Sequence, residues 1–248
     1  MIRETIYMYG RHALMEALES SPEIIDHVYL AEKPDGELTA LLHGSGIAFS
    51  RFEEKSLPRG VERSANHQGY IGSIRLSRLV KDYGEFVAGL SVTPDTALVV
   101  LGEVQDPQNV GAIIRTAAAF GIAGVLIPEH NQAQITGSVV KVSAGMAFRV
   151  PLISIGNVND TLRDLKKRGF WIYGLDGEAK QSVTKETFDA PSVFILGNES
   201  TGIREKTLEL CDIPLVIHMS PDCESLNVAA SAAVALYAWS CKHPKALK

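Results

Sequence analysis

The chain has 248 residues, of which 46% are hydrophobic and 21% are charged, and its formal net charge is −5. This composition is typical of a globular protein, and the acidic balance argues against a protein that holds nucleic acid by bulk positive charge. No apolar run is long enough for a membrane span, and the first residues do not resemble a targeting segment. The three cysteines form no CxxC pair and the seven histidines show no HExxH spacing. We therefore expect a cytoplasmic protein with no membrane partner and no metal site.

The first 75 residues alternate between helical and strand patterns. We expect helices over residues 11–18 and 38–43 and strands over 24–31, 47–49 and 69–74. Together these elements predict a small α/β domain over residues 1–75. The following stretch is polar and amphipathic and ends in the turn Thr93-Pro94-Asp95, so we expect a linker within residues 76–95.

From residue 97 onward, continuous apolar runs alternate with helical patterns. The apolar runs are typical of parallel strands covered on both faces, and they span residues 97–101, 124–127, 170–175, 193–196 and 213–217. The helical patterns span residues 110–120, 136–146, 159–168, 203–211 and 226–241. This alternation predicts an α/β domain with a mainly parallel sheet over residues 96–248.

Positive charge recurs near the end of the small domain. The basic residues of this region are Arg51, Lys55, Arg59, Arg63, Arg75, Arg78 and Lys81. Acidic residues lie between the first four of them. The pattern fits either a local RNA-binding patch or a solvated, salt-bridged surface, and the sequence leaves both interpretations open.

A helix is expected between Asn109, as its N-cap, and Gly121, as its C-terminal stop. Arg115 is the one charge in this helix and falls on the same face as Gly111. It is either an ordinary surface arginine or a guanidinium held over a polar groove, with Gly111 leaving room for a ligand. A guanidinium suits phosphate or carboxylate groups.

Two further polar segments follow predicted strands. The loop Gly197–Gly202 has the GxxxxG spacing of a phosphate loop but lacks the Lys-[Ser/Thr] that must follow it. It can still offer backbone groups and Glu199 to a small ligand. Ser225 and Asn227 stand where an alanine-rich helix begins, and both residue types are preferred N-caps. Because α/β proteins build their sites at the ends of parallel strands, we expect these segments to form one site.

The three segments together resemble a known family. Asn109-x5-Arg115-Thr116-Ala117, Leu196-Gly197-x-Glu199-x2-Gly202 and Ser225-Leu226-Asn227-Val228 look like motifs 1, 2 and 3 of the SpoU (TrmH) family. Members are RNA ribose 2′-O-methyltransferases of the SPOUT class. The resemblance implies a trefoil knot in the catalytic domain, S-adenosyl-L-methionine as cofactor, and a homodimer with its active site at the subunit interface. This chain departs from the family at Ser200, where a glycine is more common.

The resemblance also assigns residues. The catalytic positions are Asn109, Arg115, Glu199, Ser225 and Asn227. The cofactor-binding positions are Leu196, Gly197, Ile217, Met219 and Leu226. The family's counterpart of Arg115 is credited with activating the hydroxyl. A guanidinium is a poor base because it stays protonated, so we expect it to bind the adjacent phosphate and stabilise the developing alkoxide.

The N-terminal part resembles one subgroup of the family. Tyr9-Gly10-x-His12-Ala13 and His67-Gln68-Gly69 are similar to the small, L30e-like substrate-binding domain of 23S rRNA guanosine 2′-O-methyltransferases. The implied partner is RNA, and the implied target is a guanosine of 23S rRNA. The alternatives are a tRNA 2′-O-methyltransferase of the same family, a non-enzymatic RNA-binding protein, and a different α/β enzyme that binds NAD or ATP.

Overall fold

The computed structural model describes residues 5–58, 60, 61 and 66–247, so Arg59 and Arg63 lie outside the described residues. The small domain contains β1 (Thr5–Tyr9), α1 (Arg11–Ser20), a 3-10 turn (Pro22–Ile24), β2 (Ile25–Leu30), α2 (Gly36–Ser45), β3 (Phe49–Arg51) and β4 (Tyr70–Arg75). Its sheet has the order β1-β4-β2-β3. The strand β1 was not expected from the sequence, and β3 begins where the strand expected over 47–49 was to end.

The small domain has a core made by apolar side chains of three of its strands and of α1. Met8 of β1, Val28 of β2 and Ile74 of β4 are fully buried against Leu14 of α1. Asp35 caps α2, since its carboxylate accepts a hydrogen bond from Leu38 N at 2.8 Å. The helix–strand alternation expected here is therefore present.

The large domain begins with β6. Its elements are β6 (Ala97–Leu101), α5 (Pro107–Ala119), β7 (Gly124–Pro128), α6 (Gly137–Val142), a 3-10 turn (Met146–Phe148), β8 (Leu152–Ile155), α7 (Val158–Lys167), β9 (Trp171–Leu175), β10 (Gln181–Ser182), β11 (Ser192–Leu196), α8 (Glu205–Leu208), β12 (Ile213–Val216), α9 (Val228–Ser240) and a final 3-10 turn (Pro244–Leu247). The helices expected over 136–146 and 203–211 are shorter than predicted. Strands β8 and β10 were not predicted.

These strands form a sheet of eight among the described residues, in the order β10-β12-β9-β11-β6-β7-β8 with one further strand at the edge. Every pairing within it is parallel. The strands β6 and β11 at its centre are buried at every residue, as continuous apolar runs predict. The α/β organisation with a mainly parallel sheet is confirmed.

The edge strand comes from the segment in which we expected a linker. Residues 76–95 contain α3 (Leu76–Leu79), β5 (Val80–Asp82) and α4 (Tyr83–Gly89). The strand β5 pairs with β8, with Val80 opposite Leu152. Tyr83 at the start of α4 donates a hydrogen bond to Asp164 of α7 at 2.7 Å. This segment is therefore packed onto the large sheet.

The two domains share a packed boundary. Gly137 at the start of α6 lies against the backbone of Tyr7 in β1, where a Cβ atom would clash with the Tyr7 carbonyl oxygen. On the other side, Ser21 Oγ donates to the Phe148 carbonyl oxygen at 3.1 Å, and Glu16 of α1 forms an ion pair with Arg149. One apolar cluster runs from the small domain through this boundary into the large one.

The helix α5 begins three residues earlier than expected. Asp106 caps it by accepting a hydrogen bond from Gln108 N at 2.8 Å, so the prediction that Asn109 is the N-cap is wrong. Pro107 occupies the first helical position, where proline is tolerated because that N–H has no helical partner. Gly121, at φ +69°, follows the end of the helix as expected. Among the described residues, no helix combines the length and apolar character needed to cross a membrane.

Candidate active site

Three loops at the carboxyl ends of the parallel strands enclose a cavity of about 470 Å³. They follow β9, β11 and β12. The five residues expected to bind a cofactor all line it: Leu196, Gly197, Ile217, Met219 and Leu226. Three of the expected catalytic residues, Glu199, Ser225 and Asn227, line it as well. We call this space the loop cavity.

A chain of hydrogen bonds links the three sequence motifs at the rim of the loop cavity. Asn227 Nδ2 donates to Asn109 Oδ1 at 2.8 Å, and Asn109 Nδ2 donates to Glu199 Oε1 at 3.0 Å. Asn109 is buried, and both its amide oxygen and its amide nitrogen are engaged in these hydrogen bonds. Asn109 therefore holds motif 2 and motif 3 together.

The Glu199 carboxylate lies at the N-terminus of α5. Besides the Asn109 amide, it accepts hydrogen bonds from Asp106 N at 3.1 Å and Gln105 N at 3.2 Å. Partial burial opposes ionisation of this group, but the hydrogen bonds from Asn109 and these backbone groups outweigh it and lower the pKa of Glu199. The positive end of a helix also favours a carboxylate. Glu199 is thus ionised at neutral pH.

Asn227 is the N-cap of α9, as its sequence position predicts. Its Oδ1 accepts hydrogen bonds from Ala229 N at 2.9 Å and Ala230 N at 3.3 Å. One side-chain amide therefore caps the helix and contacts Asn109. Ser225 is exposed in the loop before the helix, and its hydroxyl makes no hydrogen bond to the described residues.

The loop after β11 is organised by Asn198, which sequence reasoning did not single out as a structural residue. Its Oδ1 accepts hydrogen bonds from Ser200 N at 2.9 Å and Thr201 N at 3.1 Å, and its Nδ2 donates to the Glu103 carbonyl oxygen at 2.9 Å. Side-chain-to-backbone bonds of this kind are a general reason for Asn in turns. The Ser200 position, where a glycine is more common, is thus held in place by Asn198.

Arg115 stands apart from the other expected catalytic residues. It is exposed on α5, it does not line the loop cavity, and it makes no hydrogen bond or ion pair with the described residues. The expectation that Gly111 leaves room for a ligand beside it is wrong. A Cβ at Gly111 would lie 2.6 Å from Val142 Cβ, so α6 fills that space and Gly111 is a helix-packing position.

The charge of the loop cavity limits its ligands. Three acidic residues line it, Asp176, Glu199 and Glu224, and no lysine or arginine among the described residues does so. Such a wall disfavours phosphate groups and favours a cationic ligand. The backbone groups of Leu226 and Met219 make no hydrogen bond to the described residues, so they can bind a neutral heterocycle. S-adenosylmethionine, with its sulfonium and ammonium groups, fits this lining better than NAD and ATP, whose phosphate groups the carboxylates would repel. No cluster of His, Cys, Asp and Glu suited to a metal occurs in the described part of the chain.

Two family models match the chain. The model of the SpoU rRNA Methylase family matches residues 96–237, and a model described as RNA 2′-O ribose methyltransferase substrate binding matches residues 7–79. The chain belongs to the SpoU rRNA methylase family. The matched ranges separate where α4 and the turn before β6 lie, and all three motifs that meet at the loop cavity fall inside the first range.

Curated relatives in the SpoU family align along nearly the whole chain. A protein of Xanthomonas campestris pv. campestris named 23S rRNA (guanosine-2′-O-)-methyltransferase RlmB is 34% identical over 242 residues, covering 96% of each chain. A Vibrio parahaemolyticus protein of the same name is 32% identical, covering 93% of this chain and 94% of its own. The SpoU methyltransferase AviRb of Streptomyces viridochromogenes, solved with AdoMet, shares the fold with a TM-score of 0.82 at 20% identity, covering 98% of this chain and 92% of its own.

Proposed function

We propose that this protein transfers a methyl group from S-adenosyl-L-methionine to a ribose 2′-hydroxyl of RNA, and that the target is a guanosine of 23S rRNA. The observation that carries the proposal is the acidic loop cavity, at whose rim Asn109 joins Glu199 to Asn227. The relatives that cover nearly the whole chain carry the same activity in their names.

The loop cavity is the proposed cofactor site. S-adenosylmethionine supplies an electrophilic methyl group on a sulfonium. Leu196, Gly197, Ile217, Met219 and Leu226 would hold its adenosine through backbone groups and apolar contacts, and the acidic lining would favour its cationic part. By resemblance to the family, we further propose that the loops enclosing this cavity belong to a trefoil knot.

Asn109, Glu199 and Asn227 are proposed to place the reacting ribose. Asn109 fixes the Glu199 carboxylate, which would accept a hydrogen bond from the nucleoside, and Ser225 would shape the hydroxyl pocket beside it. Arg115 is proposed to bind the neighbouring phosphate and to stabilise the charge that develops on the 2′-oxygen. Orientation of this kind can lower a barrier by about 7–11 kcal/mol in favourable cases.

A homodimer would bring the exposed Arg115 to a loop cavity. The outer face of α9 carries Val234 and Tyr237, which are 38% and 59% exposed, and the Tyr237 ring packs on Phe120 beside α5 at 5.7 Å. Exposed apolar side chains on neighbouring helices favour association with a second copy. We propose that α5 and α9 form this interface and that Arg115 serves a site that both subunits build.

Residues 1–75 are the proposed RNA-binding domain, residues 96–248 the catalytic domain, and residues 76–95 the segment that joins them. Gly10 N donates to the Tyr70 carbonyl oxygen at 3.0 Å, so the Tyr9-Gly10 and His67-Gln68-Gly69 segments lie side by side and form one surface. Of the basic series, Arg75 and Arg78 both contact Asp26. Arg51, Lys55 and Lys81 are exposed and form no ion pair with the described residues. Unpaired cysteines agree with a cytoplasmic location.

The test is methyl transfer by the full-length protein from labelled S-adenosylmethionine to fragments of 23S rRNA and to tRNA. We expect 2′-O-methylguanosine in an rRNA fragment, detected by nuclease digestion and mass spectrometry, and calorimetric binding of S-adenosylmethionine that survives a chelator. Methylation of tRNA alone would place the protein in another branch of the family. Binding of RNA without S-adenosylmethionine, or of NAD or ATP in its place, would overturn the proposal.

A further inference from the structure

A second and larger cavity lies along the boundary between the two domains. Its volume is about 740 Å³, within the range of small-molecule sites, which often form at domain interfaces. The small domain contributes Tyr7 and Tyr9 of β1, and the large domain contributes α6 and the segment before it. We call it the interdomain groove.

The groove has a largely apolar lining with polar side chains set into it, and it carries almost no net charge. Its lining has one lysine, Lys141, and one glutamate, Glu129, among the described residues. Lys141 Nζ donates to the Asn66 carbonyl oxygen at 3.0 Å. The other polar side chains are amides and hydroxyls, those of Asn66, Gln108, Gln132, Gln134, Thr5, Thr136, Ser138 and Ser154. A neutral wall with many donors and acceptors suits a neutral, planar ligand better than a phosphate.

One acceptor in this wall lacks a partner. Gln132 donates through Nε2 to the Val104 carbonyl oxygen at 2.6 Å, which fixes its amide. Its Oε1 is buried and has no hydrogen-bond partner among the described residues. An unpaired buried acceptor costs free energy, so a side-chain movement that turns this oxygen toward a ligand N–H in the groove would be favoured. Ring N–H and exocyclic amino groups of nucleobases are donors of this kind.

The groove also reaches the helix that carries Arg115. Gln108 lines it, and positions 108 and 115 lie on one face of α5 because seven residues make almost two full turns. The two residues are separated by roughly 10 Å along the axis. Gln108 is exposed, and its side chain makes no hydrogen bond to the described residues. A nucleotide in the groove would therefore lie close to one whose phosphate Arg115 binds.

We infer that the interdomain groove binds an unpaired base of the substrate RNA, next to the methylated nucleotide. RNA-binding proteins commonly recognise splayed-out bases by stacking on aromatic rings and by hydrogen bonds to base edges. Tyr7, which is half-buried in the groove wall, supplies an aromatic ring, and the glutamines supply edge partners. The inference rests on the proposed function, since it requires an RNA substrate. The groove would be a base-specific binding site that needs residues of both domains.

The test fills the groove without touching the loop cavity. In the full-length protein, Ser138→Trp places a large side chain at an exposed groove position, and Gln134→Ala removes an edge partner. We expect Ser138→Trp to raise KM for a 23S rRNA fragment about 10-fold to 100-fold, with kcat and the affinity for S-adenosylmethionine unchanged. Gln134→Ala should shift KM in the same direction by less. Ser91→Trp, on an exposed loop outside the groove, is the control.

Salt dependence separates a base from a phosphate in the groove. A base contact releases no counterions, so Ser138→Trp should weaken RNA binding by the same factor at each salt concentration. A shallower dependence of binding on salt in this variant would point to a phosphate and overturn the inference. RNA that carries thio-substituted bases should crosslink to peptides containing residues 132–141.

The outcomes distinguish the two proposals. Normal KM in Ser138→Trp, together with crosslinks elsewhere, would overturn the groove inference while wild-type methylation keeps the function. If the wild-type protein binds S-adenosylmethionine but methylates no rRNA fragment, the proposed substrate is wrong, whatever the groove variants show. Thermal unfolding of each variant shows whether it folds, and Gln134→Ala, at an exposed position, tests the groove even if Ser138→Trp does not fold.

Discussion

The two cavities lie near the start of one helix, and consecutive residues of α5 contact the walls of the two cavities. Asn109 is buried and hydrogen-bonds to Glu199 and Asn227 of the loop cavity, whereas Gln108 is exposed and lines the interdomain groove. The loop cavity is smaller, at about 470 Å³ against about 740 Å³, and is lined by three carboxylates without a described cation. The groove has one charge of each sign.

The difference in charge indicates a different kind of ligand for each cavity. An acidic lining favours the cationic cofactor, and a neutral lining rich in amides favours a base. The one cation of α5 is Arg115, which makes no hydrogen bond or ion pair with the described residues. We propose that Arg115 holds the phosphate between the methyl donor, in the site that both subunits build, and the recognised base.

The largest expected effect is that of replacing Arg115, the residue proposed to bind the phosphate between the loop cavity and the interdomain groove. Arg115→Ala should lower kcat about 100-fold to 1,000-fold, since it removes a group that stabilises developing charge, while S-adenosylmethionine affinity stays the same. Arg115→Lys should also be slow, because an ammonium lacks the planar fork. Single-turnover methylation and calorimetry measure the two quantities. The control is Arg163→Ala, an exposed arginine paired only within α7. Near-normal turnover in the lysine variant would remove the fork argument.

Two glycine substitutions, one at the loop cavity and one at the interdomain groove, should affect cofactor binding and RNA binding separately. At Gly197 a Cβ would clash with the backbone of Gly202 and Ile203, and at Gly137 it would clash with the Tyr7 carbonyl oxygen. Overpacking of this kind costs about 1–3 kcal/mol. Gly197→Ala should therefore weaken S-adenosylmethionine binding roughly 5-fold to 150-fold and leave RNA affinity nearly intact. Gly137→Ala should lower Tm by roughly 2–10 °C and weaken RNA binding, with cofactor affinity kept. Equal losses of both ligands in both variants would show that the sides are not independent.

The convergence of the motifs was predictable because they follow strands of a parallel sheet. Apolar runs such as Ala97–Leu101 and Ser192–Leu196 identify those strands, and the topology brings their carboxyl ends together. The role of Asn109 was not predictable in the same way. Asn is a good N-cap, but so is Asp106, three residues earlier. The proline that follows Asp106 does not prevent this, because proline is acceptable at the first helical position. The helix therefore starts earlier, and Asn109 is free to bridge two loops.

The interdomain groove was not predictable because it depends on contacts between distant segments. The sequence marks Gly111 as a small residue but does not say that Val142 will occupy the space beside it. Strands β5 and β10 are only three and two residues long, too short for a hydrophobic period to identify.

Since β5 places residues 76–95 on the large sheet, a truncation at residue 94 would remove an edge strand. Point variants are therefore the cleaner test of the small domain's role.

The smallest expected effect is the contribution of the Glu199 carboxylate, in the wall of the loop cavity, to the pH dependence of stability. The pKa of Glu199 is lowered in the folded protein, so its ionised form stabilises the fold above the unfolded-state pKa of about 4.3. This contribution is lost as the pH falls through the lower folded-state pKa. In urea unfolding, Glu199→Gln should be less stable than the wild type at pH 6, and the difference should shrink between about pH 5 and pH 3. Glu129→Gln on the groove side is the matched control, because that carboxylate accepts one hydrogen bond, from the Ser154 hydroxyl at 3.0 Å, instead of three. A difference between Glu199→Gln and the wild type that grows as the pH falls would mean that burial, and not the hydrogen bonds from α5, governs this carboxylate.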